Sequence, residues 1–237
     1  MVIPAYNEAL RLPAYLGEVV TYFDGRNEPY EVLVVDDGSR DETAARVIEA
    51  QAGNSAVTLH RLAANRGKGF AVRAGMRAAR GELRLMADAD GATPIREVKR
   101  LEAAIRAGAD VAIGSRALAD PSVSRQVRLH RKLSGEVFNF LVRRLGVPEI
   151  SDTQCGFKLF RGAAAEELFR ELRTEGFGFD VELLLLARRR GYRVAEVAID
   201  WADQPGSKVG VLTDGPRMLA QILAARCRLA RSGETRQ

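Results

Sequence analysis

The chain has 237 residues, 46% hydrophobic and 28% charged, an ordinary soluble composition with enough apolar material for a core, which excludes a disordered or fibrous polypeptide. A formal charge of +5 suits nucleic acid, an anionic membrane or phosphate-rich small substrates, but no stretch approaches the roughly 18–20 apolar residues of a membrane span. Cys155 and Cys227 lack metal-ligand spacing and His60 with His130 cannot build a histidine metal site, so free thiols in a reducing, cytoplasmic setting without a secretory leader are expected.

Residues 2–8 open as a very short strand ending in a turn, and Asn7 offers an N-cap to a helix carrying Leu12, Leu16, Val19, Val20 and Phe23 at helical spacing. The apolar run Val32-Leu33-Val34-Val35, closed by Asp36-Asp37-Gly38-Ser39, has the signature of a buried parallel strand. Asp41 and Glu42 then place acids at the positive end of a second helix. Residues 57–62 make a third strand, 68–80 a third helix and 83–88 a fourth strand, and Thr93-Pro94 supplies an N-cap and N1 proline for the next helix. Val111-Ala112-Ile113-Gly114 is a fifth strand. This alternation predicts an α/β fold with a doubly wound, mostly parallel sheet. Ligands of such sheets gather at the carboxyl ends of the strands. There the chain places residues 4–8, Asp36-Asp37-Gly38, Asn65-Arg66-Gly67-Lys68-Gly69 and Asp88-Ala89-Asp90.

The last of these organises the rest. In an extended chain residues i and i+2 point to the same side, so Asp88 and Asp90 can face one ligand together. Paired carboxylates suit a hard cation, Mg²⁺ or Mn²⁺, with substrate phosphates completing its shell. An isolated D-x-D is also common in solvated loops; four polar strand ends together are harder to dismiss.

Beyond residue 115 the character changes. Residues 120–126 read as a polar, mobile loop, and 133–145 as a basic amphipathic helix that either packs on the core or lies on a membrane surface. Residues 151–160 read as a polar turn and then a strand, 177–190 as a helix, 192–199 as a strand, and a basic helix starts at Pro216.

The runs Ile3-Pro4-Ala5-Tyr6-Asn7-Glu8, Val35-Asp36-Asp37-Gly38-Ser39 and Asp88-Ala89-Asp90-Gly91 resemble those of inverting family 2 glycosyltransferases with the GT-A fold. Within that family the chain most resembles the dolichyl-phosphate glucosyltransferases and bacterial polyprenyl-phosphate relatives. The narrower match rests on residues 65–73, 87–93 and 152–160, Phe179-Asp180-Val181-Glu182 and Gly206-Ser207-Lys208.

The resemblance implies one domain over 1–237, with a nucleotide-sugar half at 1–115 and an acceptor half at 116–237. Pro4, Ala5, Tyr6 and Glu8 would line the nucleobase and ribose, with Asp36 and Asp37 accepting base or ribose donors. Asp88 would sit near ribose and metal, Asp90 would be the principal ligand of a Mg²⁺ or Mn²⁺ ion, and Lys68 would contact phosphate or base unless it is only a solvated lysine at a helix start. The acceptor would be a polyprenyl phosphate, already a competent nucleophile that needs little general-base help. Arg116, Arg131 and Lys208 are the candidate phosphate cations, since guanidinium matches phosphate oxygens bidentately. Asp152 would orient the acceptor, act as base or cap a turn, while Gln154, Phe179, Asp180 and Glu182 shape the acceptor side by packing or contact. Trp201 is a sugar platform or a core aromatic. Ala92, where mannosyl-transferring relatives often carry a polar residue, points to the glucosyl branch and UDP-glucose.

The expectation is thus a metal-dependent hexosyltransferase acting at the cytoplasmic face of a membrane. The alternatives are a soluble small-molecule acceptor, GDP-mannose as donor, or an inactive nucleotide-binding domain. Aromatic-basic interleaving of the single-strand-binding kind is missing, so no nucleic-acid partner is expected.

Overall fold

The computed structural model describes residues 1–126, Val142, Leu145, 147–204 and 211–234. In chain order its strands are β1 (Val2–Ala5), β2 (Val32–Asp36), β3 (Val57–Arg61), β4 (Leu83–Ala87), β5 (Val111–Ser115), β6 (Arg125–Gln126), β7 (Phe157–Arg161), β8 (Val194–Ala198) and β9 (Trp201–Ala202). The helices are α1 (Leu12–Asp24), α2 (Thr43–Gly53), α3 (Lys68–Ala78), α4 (Val98–Arg106, entered through a 3-10 turn at Ile95–Glu97), α5 (Gly162–Glu171), α6 (Phe179–Arg189) and α7 (Val211–Glu234).

Seven strands form one sheet in the order β3-β2-β1-β4-β7-β5-β8. All neighbours run parallel except β7, which lies antiparallel between β4 and β5. Both faces are covered, so the central strands are apolar at nearly every position. Ile3, Val34, Leu85, Ala112 and Leu159 meet α1 and α4 on one face. Their neighbours Val2, Val35, Met86, Ile113 and Phe160 meet α3, α5 and α6 on the other. Because β7 inserts between β4 and β5, residues 1–115 and 116–237 share one sheet.

Several expectations move. Asn7 does not cap the first helix, which starts at Leu12 with Arg11 before it. Instead Asn7 takes a left-handed φ of 51° and its Oδ1 accepts the Arg40 N–H at 2.8 Å, tying the first turn to the second. Pro94 stands ahead of the 3-10 turn, and Pro216 lies inside α7 because that helix begins at Val211. The expected loop at 120–126 ends in β6, which pairs in parallel with β9. Helix α5 occupies a segment that the sequence pattern had left unread. Of the expected helix at 133–145 only Val142 and Leu145 are described: Val142 is buried with Val181, Met218 and Ile222, and Leu145 packs against them, which favours core packing there.

Candidate active site

Four strand ends build the site. At the end of β2, Asp36 is fully buried; its Oδ1 accepts the Ser39 N–H at 2.9 Å and its Oδ2 lies 3.5 Å from Arg61 Nε. Beyond β2 and β3 is a recess of about 340 Å³ lined by Gly38, Ser39, Arg61, Leu62 and Ala63. Asp37 turns to the next loop, where its two oxygens accept the N–H groups of Arg66 and Gly67, each at 2.8 Å. Burial raises its pKa, and these two bonds act against the rise. Asp37 therefore shapes the loop that delivers Lys68.

That loop is pressed against residues 174–176. Phe70 N–H donates to the Glu175 carbonyl at 3.1 Å, and a Cβ on Gly69 would stand 2.7 Å from Phe179 Cβ, so only glycine fits. Arg66 adds an ion pair to Glu175 at 2.8 Å, with its guanidinium 4.1 Å from the Phe70 ring centroid. Lys68 starts α3 here, and its Nζ reaches Asp88 Oδ1 at 2.6 Å.

Asp88 and Asp90 follow β4 directly. Asp88 N–H donates to the Gly156 carbonyl at 3.0 Å, and Asp90 Oδ1 accepts the Ala92 N–H at 3.1 Å, fixing the turn. Asp90 Oδ2 lies 3.8 Å from Arg11 Nη1, and Arg11 is itself clasped by both oxygens of Glu8 at 2.6 and 2.7 Å. Burial, then the charge on Asp88, raise the pKa of Asp90. Two carboxylates that repel each other, each with a cationic side chain beside it, are the chemistry of a divalent-cation site. Among the described residues no three metal-ligating side chains converge, so such an ion would take its remaining oxygens from substrate phosphates.

The second half arrives through the turn before β7. A Cβ on Gly156 would overlap the Asp88 carboxylate, so glycine lets this turn lie against the carboxylate pair. Asp152, in the same turn, is buried, and its oxygens accept the Arg116 backbone N–H at 3.0 Å, Nε at 2.7 Å and Nη2 at 2.8 Å. Burial alone would raise the carboxyl, but Arg116 outweighs it and holds the pKa below the usual range. Glu196 on β8 accepts the N–H groups of Ser151 and Asp152 at 3.0 and 2.8 Å, anchoring the turn from behind. The Arg116 guanidinium stands 5.5 Å from the Trp201 ring centroid, so Trp201 is half-buried against a cation rather than in the core.

Pro4, Ala5, Tyr6 and Glu8 lie on and just after β1, buried except for the half-buried Tyr6. Arg131 and Lys208 lie outside the described residues. Phe179 is core; Asp180 pairs with Lys158 and Glu182 accepts the Thr174 N–H at 2.7 Å, so these three support the site from within. Gln154 Nε2 donates to Met218 Sδ at 2.6 Å. Arg11 and Arg61 were missed by sequence reasoning: in an arginine-rich chain nothing in their spacing marks them, beyond Arg11 standing three residues after Glu8. Lys158 did carry a signal, a lysine inside an apolar strand of a chain with five lysines.

The family model described as "Glycosyl transferase family 2" matches residues 1–169. The chain belongs to this family. It is an α/β glycosyltransferase with the GT-A fold. It is 41% identical over 222 residues to the human dolichyl-phosphate beta-glucosyltransferase, covering 88% of this chain and 68% of the human one. The Saccharomyces cerevisiae protein of the same name is 35% identical over 246 residues, 95% of this chain and 73% of the yeast one. Among solved structures, glucosyl-3-phosphoglycerate synthase from Mycobacterium tuberculosis, in complex with Mn²⁺ and UDP-glucose, superposes with a TM-score of 0.69 at 20% identity, over 94% of this chain and 77% of that one. That likeness is one of fold. In the family 2 glycosyltransferase described here, β1, β2 and β4 bring up the carboxylates, and β7 brings the turn that faces them.

Proposed function

We propose that the enzyme transfers glucose from UDP-glucose to a polyprenyl phosphate with inversion, the 1–115 half holding the donor and the 116–237 half the acceptor. The observation that carries this is the meeting of Asp88 with the turn at 152–156, closed by the Asp88–Gly156 hydrogen bond. In it the carboxylate pair and the Asp152–Arg116 pair come from opposite halves of the chain to one place.

Asp36 offers an acceptor beside the recess lined by Arg61, a fit for the base of the nucleotide. Asp88 and Asp90 would hold Mg²⁺ or Mn²⁺, which when bound neutralises the departing diphosphate. Lys68 and Arg11 flank the same oxygens and add positive charge to that side. Asp152, engaged by three Arg116 donors and held acidic, is poorly suited to take a proton and well suited to fix Arg116. Fixing a guanidinium without providing a free base suits a phosphate nucleophile, which arrives ionised, better than a sugar hydroxyl. Since a polyprenyl phosphate sits at headgroup level, the enzyme works at a membrane surface, on the cytoplasmic side. No described helix is long and apolar enough to cross a membrane.

Incubation with radiolabelled UDP-glucose or GDP-mannose plus a polyprenyl phosphate, followed by organic extraction, tests this. Label should enter the organic phase from UDP-glucose, require Mg²⁺ or Mn²⁺, stop with EDTA, and fall by at least about 100-fold in a folded Asp90→Ala variant. Equal turnover of GDP-mannose would overturn the donor assignment, and transfer to a small hydroxy acid but not to the lipid would overturn the acceptor.

A further inference from the structure

The chemistry above leaves one charged pair without a use. Lys158 is fully buried in the middle of β7, between Met86 on β4 and Ile113 on β5. Its ammonium donates to Asp180 Oδ1 and to the Cys155 carbonyl, both at 2.5 Å. Taking two such charges out of water is expensive, and an apolar pair of the same volume commonly packs at least as well. A charged pair at this point needs a reason other than stability.

Its position supplies one. Asp180 follows Phe179, whose Cβ lies 2.7 Å from where a Gly69 Cβ would stand, and Gly69 follows Lys68. The first turns of α3 and α6 therefore abut, which brings the Asp180 end of α6 close enough to act on the charge of Lys68, whose Nζ stands 2.6 Å from Asp88. Burial pulls the Lys68 pKa down, but Asp88 and then Asp180 outweigh it and keep the ammonium charged. Followed outward from the core, the charges alternate: Lys158, Asp180, Lys68, Asp88, and beyond them Asp90, Arg11, Glu8. The alternation fails once, between Asp88 and Asp90.

We propose that Lys68 is the resident counter-ion of Asp88 in the metal-free enzyme, and that Asp180, held by Lys158, is the carboxylate that receives Lys68 when Asp88 turns to a divalent cation. Lys68 sits on a flexible four-carbon stem and can exchange one carboxylate for the other without movement of α3. In its second position it lies between Asp180 and the donor diphosphate. Asp180 and Lys158 are positioning residues that act through Lys68. This inference rests on Asp88 and Asp90 being the cation site.

The test is Mn²⁺ binding to the full chain, read from the electron paramagnetic resonance of free Mn²⁺ with and without UDP, with no turnover involved. Without nucleotide, Lys68→Met should bind Mn²⁺ about tenfold more tightly, because a competing cation is gone. Asp180→Asn should bind it about tenfold more weakly, because Lys68 is left with Asp88, and Asp180→Glu should restore the affinity. In a Lys68→Met background Asp180→Asn should change nothing, whereas a purely structural role would weaken binding in both backgrounds. Lys68 is partly buried at a helix start and belongs to neither hydrophobic cluster of the sheet, so its variant decides even if the Asp180 variants fail to fold. Unchanged or weaker Mn²⁺ binding by Lys68→Met overturns the proposal. A wild-type enzyme that binds no Mn²⁺ even with UDP overturns the cation site itself, a different and separately visible result.

Discussion

Asp152 and Arg116 show how residues that look independent in a sequence become one group in space. They stand 36 positions apart, and each invited its own role; the structure joins them through three hydrogen bonds. Because the native pKa of Asp152 is depressed, its stabilisation is complete above the unfolded-state value of about 4 and is lost as the pH falls through the native value. Asp152→Asn should therefore cost about 2–3 kcal/mol at pH 7, less than a fully buried pair because Arg116 is partly exposed. Urea unfolding of the two proteins should show that difference narrowing from about pH 5 to pH 3. A difference independent of pH would mean that Asp152 acts by packing alone. Asp37 teaches a related lesson: its type and place at a strand end suggest a ligand contact, but both oxygens go to the backbone of a loop that only the fold brings near.

At the level of elements, the junction of α3 with residues 174–179 sets where Lys68 stands. Gly69→Ala would overlap the Thr174 carbonyl oxygen and stand 2.7 Å from Phe179 Cβ. It should lower stability by about 1–3 kcal/mol and raise the KM for the donor nucleotide. Gly17→Ala is the control: it lies inside α1 with nothing within 4 Å of the new Cβ, and should stabilise by about 0.5–1 kcal/mol. Equal urea midpoints for the two variants would refute the tight junction. The strands were legible because their apolar runs end in acids and glycines, and the parallel half followed from strand–helix alternation. The reversal of β7 was not legible, since an apolar run buried on both faces reads the same in either direction. Nor was the partner of Lys158, since Asp180 stands 22 positions away on a helix that only the fold brings against this face of β7.

For the whole molecule, surface charge decides how the enzyme would meet a lipid acceptor. The last helix carries Met218, Leu219, Ile222, Leu223 and Leu229 among its arginines. In the fold Met218 and Ile222 are buried, Leu219 and Leu229 pack inward, and Leu223 remains exposed. Arg226 donates to the Leu145 carbonyl and Arg228 to Glu182 at 3.1 Å. Any membrane attachment through this helix must then be electrostatic, on the order of 1 kcal/mol for each cation near an anionic leaflet. In flotation assays the protein should rise with anionic vesicles, stay down with neutral ones, and be released at about 1 M salt, where the screening length is about 3 Å. Failure to float even with polyprenyl phosphate in the bilayer would favour a soluble acceptor. The reversed strand also has a consequence in time. The hydrogen bonds that close β4 come from β7, seventy residues later (Ala87 to Phe157). During synthesis β4 therefore waits as a bare edge of Leu85, Met86 and Ala87, open to wrong pairings. Asp88 waits with it, because the carbonyl that fixes its backbone belongs to Gly156. The reactive end of the molecule is thus made early and completed only once β7 has left the ribosome.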